Sequence, residues 1–387
     1  MFKLIGSMAV GAMLLAGCDS TALLSSGSPT PSAGAASPAA DLRTHLNLLM
    51  GEHVFMVAKL SSAANGGRKT EFSSYAGLLA TNGSDLTDLM TRSIGASGGH
   101  DFALVWTAGN TFAVDYVIAA ATHSVAAKQA TLTSEAGTYT TSLADFLISH
   151  ARMASDVAAK QAADEAGGVR AVVDDQGSGD FAKAYADLHA AYQHGSSLGD
   201  AMGIAIAHQF PDRLPGDPTF NSVVHRATLD SLFQERALLT TMATESVVVG
   251  ASKEQGPATT TLSATSSAVA GELGAMFGAN TGAGAQTELA AQDAGCVAYA
   301  GATTDAQRQG VLATLRDVSA DRLAGVFQGH SAQKLDFAAQ AVATVQVVEA
   351  QRSKSSDQIA ELDRSAAQLL VEIGEILTGG TVPQQSN

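Results

Sequence analysis

A stretch of eight residues recurs in this chain, and the recurrence narrows the folds open to it. Leu46-Asn47-Leu48-Leu49-Met50-Gly51-Glu52-His53 superposes on Leu229-Asp230-Ser231-Leu232-Phe233-Gln234-Glu235-Arg236. The same offset carries Ile94-Gly95 onto Phe277-Gly278 and Val114-Asp115-Tyr116 onto Val297-Ala298-Tyr299. After a small shift, Leu143–His150 matches Leu323–His330. Several separate matches in one register predict two diverged copies, residues 41–214 and 219–380, joined at Leu214-Pro215-Gly216-Asp217-Pro218. A chain of 387 residues is also more than one hydrophobic core usually covers.

Each copy reads as helices packed lengthwise. Leu42, Leu46, Leu49, His53, Met56 and Leu60 fall at alternating spacings of four and three, the seam of an amphipathic helix. His225, Leu229, Leu232, Arg236, Leu239 and Ala243 repeat that seam in the second copy. Apolar residues make up 46% of the chain with Ala foremost, and Pro is scarce beyond residue 40, a balance that favours helix. Glycine and asparagine clusters at Asn65-Gly66-Gly67, 95–99, 177–179, Gly250 and 278–284 divide it into helices. The fold class expected is all-α: two tandem antiparallel helical bundles of four or more helices each.

The N-terminus sets an expectation about place. An apolar run follows Met1-Phe2-Lys3 and closes on Leu15-Ala16-Gly17-Cys18, which reads as a lipobox. Residues 1–17 would be a lipoprotein signal peptide and Cys18 the lipidated first residue of the mature chain. The run is shorter than the roughly 20 residues of a bilayer span. Residues 18–40, with Ser28-Pro29-Thr30-Pro31-Ser32, lack the apolar bulk to offset ordering entropy and read as a disordered tether. No second span is expected downstream. The protein is expected on the extracytoplasmic face of the cell membrane, held there by its lipid. Asp19 resembles an inner-membrane retention signal, which has meaning only in a two-membrane envelope.

A net charge of −15, without basic runs, argues against nucleic acid as a partner and against attraction to an anionic bilayer surface. Cys18 and Cys296 are the only cysteines. With Cys18 lipidated no intramolecular disulfide can form, and Cys296 reads as a small buried side chain.

Polar residues on apolar seams are the candidates for chemistry. His53 lies mid-stripe beside Glu52, and bundle interiors assemble metal sites from inward His, Glu and Asp. Asp115, His150 and His194 complete a candidate set for copper, zinc or iron in the first copy. The competing reading is that each is a hydrogen-bonded core residue, since His53 becomes Arg236 and Asp115 becomes Ala298 in the second copy while only His150 recurs, as His330. A looser match sets Gln368 against His194. No di-iron Glu-x-x-His pair stands at the needed places, and no haem Cys-x-x-Cys-His or His-Glu-x-x-His motif occurs. The glycine-rich segment 278–284 lacks a phosphate loop's Lys-Ser/Thr, and no Gly-x-Ser-x-Gly elbow occurs. Trp106, Phe112 and Tyr116 read as core.

Glu52-His53, Trp106, Phe112-Ala113-Val114-Asp115-Tyr116, Gly179-Asp180-Phe181-Ala182-Lys183-Ala184-Tyr185, His194 and Gln209-Phe210-Pro211-Asp212 together resemble a helical domain of secreted Gram-positive proteins. Those proteins are often labelled copper amine oxidase-like after an adjoining domain. The resemblance covers most of 41–214 and implies a helical fold while saying little of activity. The domain usually carries a His three residues after the Trp, where this chain has Gly109. Nothing resembles an amine oxidase catalytic core. The expected function is a binding or structural module, with an envelope protein or small ligand as partner, rather than an enzyme. The alternative is a metal-binding bundle holding a transition metal.

Overall fold

The computed structural model describes residues 35–327, 332, 334–354 and 357–379. The signal segment, Cys18, most of the expected tether and His330 lie outside the described residues. Within them the chain is helical and has no strand. Twelve helices follow one another: α1 (Pro38–Asn65), α2 (Lys69–Ile94), α3 (Ala96–Ala121), α4 (Val125–Thr131 and Gly137–Ala151), α5 (Ser155–Ser178) and α6 (Phe181–Gln209). Then come α7 (Asn221–Val248), α8 (Ser252–Phe277), α9 (Ala279–Gly301), α10 (Asp305–Ala313 and Ala320–Val326), α11 (Lys334–Ser353) and α12 (Ile359–Thr378). π-helical turns join the two parts of α4 at Leu132–Ala136 and of α10 at Thr314–Ser319.

Local chemistry accounts for the boundaries. The Ser37 hydroxyl accepts the Ala40 N–H at 3.2 Å and Pro38 sits in the first turn, so α1 takes in Pro38, Ala39 and Ala40, which composition had assigned to the tether. Gly95 between α2 and α3 has φ +92°, and Gly278 between α8 and α9 has φ +99°. These are backbone conformations that favour glycine. The two glycines matched by the repeat therefore make the same abrupt turn.

α1 and α7 are buried on nearly all sides. α1 packs on α2, α3, α5 and α6, α7 packs on α8, α9, α11 and α12, and the two pack on each other. α6 reaches across to α8, and α12 to α2. The expected seam of α1 is present, with Leu42, Leu46, His53, Met56 and Leu60 buried and Leu49 partly so. Its opposite face is buried as well, through Arg43, Asn47, Glu52 and Lys59.

Those polar residues are paired. Arg43 makes a two-point contact with Asp200 at 2.7 and 2.6 Å, and Arg226 bonds Glu375 at 2.6 Å. Arg364 holds Glu52 through two contacts of 2.9 Å, and His189 Nδ1 meets Glu235 at 2.6 Å. Each of the second pairs joins a residue before 215 to one after it. Buried Lys59 contacts Asp363 at 2.5 Å and donates to Thr241 at 2.7 Å, while Tyr75 donates to Asp363 at 2.9 Å. A buried ion pair costs least when its remaining donors and acceptors are also met, as around Lys59 and Asp363; at the Arg226–Glu375 pair, Arg226 Nε and Glu375 Oε2 have no hydrogen bond.

α3 is long and apolar enough to cross a bilayer by length and composition, which the sequence reading did not assign. Half of its apolar window is buried in the fold, with Phe102, Trp106, Phe112 and Tyr116 in the core.

Candidate functional site

A cleft of about 560 Å³ lies along the seam between α2 and α3. Its wall on α2 includes Gly83, Ser84 and Thr87, and its wall on α3 includes Trp106, Asn110, Thr111 and Asp115. Behind it, on the buried side of α3, His53 Nε2 meets Asn110 Oδ1 at 3.1 Å, and the imidazole lies 4.8 Å from the Trp106 ring. His53 Nδ1 faces Glu165 Oε1 at 3.5 Å, beyond a good hydrogen bond. Burial, with the Glu165 carboxylate nearby, pushes the Tyr139 phenol well above its ordinary range. Tyr139 packs where Gly109 leaves room, since a β-carbon there would come within 2.6 Å of its ring.

Three polar atoms of this cluster are shut off from solvent without a hydrogen bond: His53 Nδ1, Trp106 Nε1 and the Tyr139 hydroxyl. Unmade hydrogen bonds of buried groups are costly, so such a cluster differs from an ordinary core.

The corresponding place in the later half of the chain is closed. Arg236, at the position of His53, bonds Asp293 at 2.5 Å, Gln292 at 2.9 Å and Ser266 at 3.0 Å. Ser266 also donates to Asp293 at 2.5 Å, tying α8 to α9. Asp293 corresponds to Asn110 and Ser266 to Gly83. A β-carbon on Gly83 would meet Asn110 Nδ2 at 3.0 Å and Trp106 Cδ1 at 3.2 Å. At Gly83, therefore, α2 lies close against Trp106 and Asn110, and Asn110 Nδ2 donates to the Leu79 carbonyl at 3.2 Å, where the other half has the Ser266–Asp293 bond.

The residues expected to share a metal are dispersed. Glu52 turns to the opposite face of α1, bonded to Arg364 and to Asn82 at 2.9 Å, and burial raises its carboxyl against the pull of Arg364. Asp115 is exposed on the cleft wall. His150 meets Asp101 at 3.2 Å and lies against Phe146. His194 Nε2 approaches the Gln161 carbonyl at 3.2 Å. Among the described residues no three His, Cys, Asp or Glu side chains are grouped to hold a metal ion. A seam position brings a side chain into the core without bringing it to a common point. Pairing by geometry, from Asp200 with Glu375 and His189 with Arg364, also sets Gln193 rather than His194 against Gln368.

Asn110, Glu165 and Tyr139 are absent from the sequence-derived set. The repeat register carried a usable signal for Asn110, because Asn110 and Asp293 covary in kind with His53 and Arg236. Cys296 is buried and its thiol is pushed up to about 12 by burial, which makes it a poor nucleophile. The chain matches no family model, no curated protein and no solved structure.

Proposed function

We propose that the protein is a lipid-anchored extracytoplasmic binding module, a tandem duplication of a six-helix bundle in which the first copy carries a ligand cleft. Equal lengths of α1 and α7 and of α2 and α8, the shared glycine turns and the π-helical turns in both α4 and α10 support the duplication. The lipobox and the resemblance to a secreted helical domain support the location. The observation that carries the ligand reading is the cleft itself, lined by Trp106, Asn110 and Asp115 and without the serine–aspartate bridge found in the later half. The lining offers hydroxyls, an amide, an aromatic edge and the Asp115 carboxylate, with no basic group. It suits a small polar molecule that is neutral or bears an amine, and disfavours anions.

Trp106 is the only tryptophan, so its emission reports on this cleft alone. Residues 35–387 titrated with a panel of monosaccharides, amines and organic anions should show saturable emission changes for neutral or cationic members. Gly83→Ser should abolish them with the circular dichroism spectrum retained. A panel silent in both fluorescence and calorimetry, or a response undiminished in Gly83→Ser, would overturn the reading.

A further inference from the structure

A second cavity, of about 300 Å³, lies on the other side of α1, in the groove between α2 and α12. One end is closed by Arg364, which bonds Glu52 and, at 2.6 Å, Asp85. Further along, Asp88 and Arg92 line it from α2, Glu372 lines it from α12, and His45 forms its floor. His45 Nε2 is shut off from solvent and has no hydrogen bond. Burial lowers the His45 pKa, which keeps the ring neutral. Asp88 and Arg92 stand one helical turn apart, and among the described residues neither they nor Glu372 take part in an ion pair. Asp88 and Arg92 are both exposed at the mouth of the cavity, so their charges are open to a ligand that enters it.

The rest of the fold shows that the seam does not require these charges. The same contact occurs between α6 and α7, where His189 and Glu235 take the places of Arg364 and Glu52. Thr228 there replaces His45 and Ser197 replaces Glu372, and the cavity is about 160 Å³. On α8 the places of Asp85, Asp88 and Arg92 fall to Ala268, Gly271 and Ala275. That seam is held by His189 on Glu235 and by His225 on Glu272, and it carries no counterpart of Asp88 or Arg92.

We propose that the α2–α12 groove is a binding site for a small zwitterion of dipeptide type, its ammonium held by Asp88 and Glu372, its carboxylate by Arg92, and its central amide by His45. Opposite charges one turn apart on α2, with Glu372 across the groove and the unbonded His45 nitrogen in its lining, match the ammonium, carboxylate and amide of such a ligand.

Isothermal titration of residues 35–387 with glycylglycine tests this, with glycine, putrescine and succinate as comparison ligands. Glycylglycine should bind saturably, and Asp88→Asn and Arg92→Ala should each weaken it at least tenfold while leaving the circular dichroism spectrum unchanged. Gly83→Ser should leave this binding intact, which separates the groove from the Trp106 cleft. Absence of glycylglycine binding, equal binding of putrescine or succinate, or insensitivity to both groove variants would overturn the assignment.

Discussion

Glu245 shows what this fold asks of single residues. It sits near the C-terminus of α7, paired with Arg68 and 3.4 Å from the Ser62 hydroxyl. Burial, with Glu71 adding repulsion, pushes its carboxyl up to about 8, against the pull of Arg68 and Lys59. A folded pKa above the ordinary 4.5 means that the folded state holds a proton which the unfolded chain releases. Stability is therefore greatest below about 4.5 for this group and falls as pH rises towards 8. His189, raised chiefly by its hydrogen bond to Glu235, acts in the same direction from its ordinary 6.5 upward. Buried Asp230, Glu254, Asp293 and Glu375, all raised by burial, add to the slope. Melting temperature followed from pH 5 to pH 8 should fall in the parent. Glu245→Gln should reduce that fall without abolishing it, because a neutral amide has no proton to lose. A slope identical in the two proteins would show that Glu245 titrates normally.

Among the elements, α6 is the one whose sequence fixes its neighbour most tightly. Gly195, Gly199 and Gly203 form one stripe along it and let its backbone approach that of α1. A β-carbon on Gly199 would come within 2.7 Å of the Asn47 nitrogen, and one on Gly203 within 2.7 Å of the Arg43 α-carbon. The atoms met are backbone, so the helices would have to separate. Gly199→Ala, although favourable for an isolated helix, should destabilise the protein by about 1–3 kcal/mol, the usual cost of overpacking. Chemical denaturation measures it, and a neutral or stabilising result would mean that α6 does not lie this close. Gly374 on α12 stands at the matching place, where a β-carbon would meet Asp230 Oδ1 at 2.3 Å. Apolar spacing and glycine breaks make the helical class legible in the sequence, with the helix ends near 66, 95, 179, 250 and 278. They leave illegible the second buried face of α1 and α7, because Arg43 and Lys59 carry no signal of burial and Glu52 reads as a metal ligand until Asp200, Asp363 and Arg364 are brought up. The same limit applied to the site. His53 stands out on periodicity and Asn110 through its match to Asp293, whereas Glu165 and Tyr139 acquire meaning only from the tertiary approach of α4 and α5.

At the scale of the whole molecule, the question is whether residues before and after the Leu214–Pro218 linker behave as separate domains. Their contact argues that they do not. Lys59 is buried only because Asp363 and Thr241 face it, and Glu52 because Arg364 does. Apolar packing is shared too: Val54, Phe55, Tyr185 and Tyr192 belong to the same core cluster as Phe233 and Leu370. Parting the halves would return the paired charges to water and expose that shared apolar surface, and the lost burial, at about 25 cal/mol for each Å², is what holds them together. Neither half should therefore persist folded once the other has unfolded. Differential scanning calorimetry of residues 35–387 should give one transition whose calorimetric and van't Hoff enthalpies agree, the mark of a single cooperative unit. Residues 35–214 made alone should lack that transition and bind dyes that report exposed apolar surface. Two resolved transitions, or a first half that melts sharply by itself, would establish that the seam joins two independent bundles.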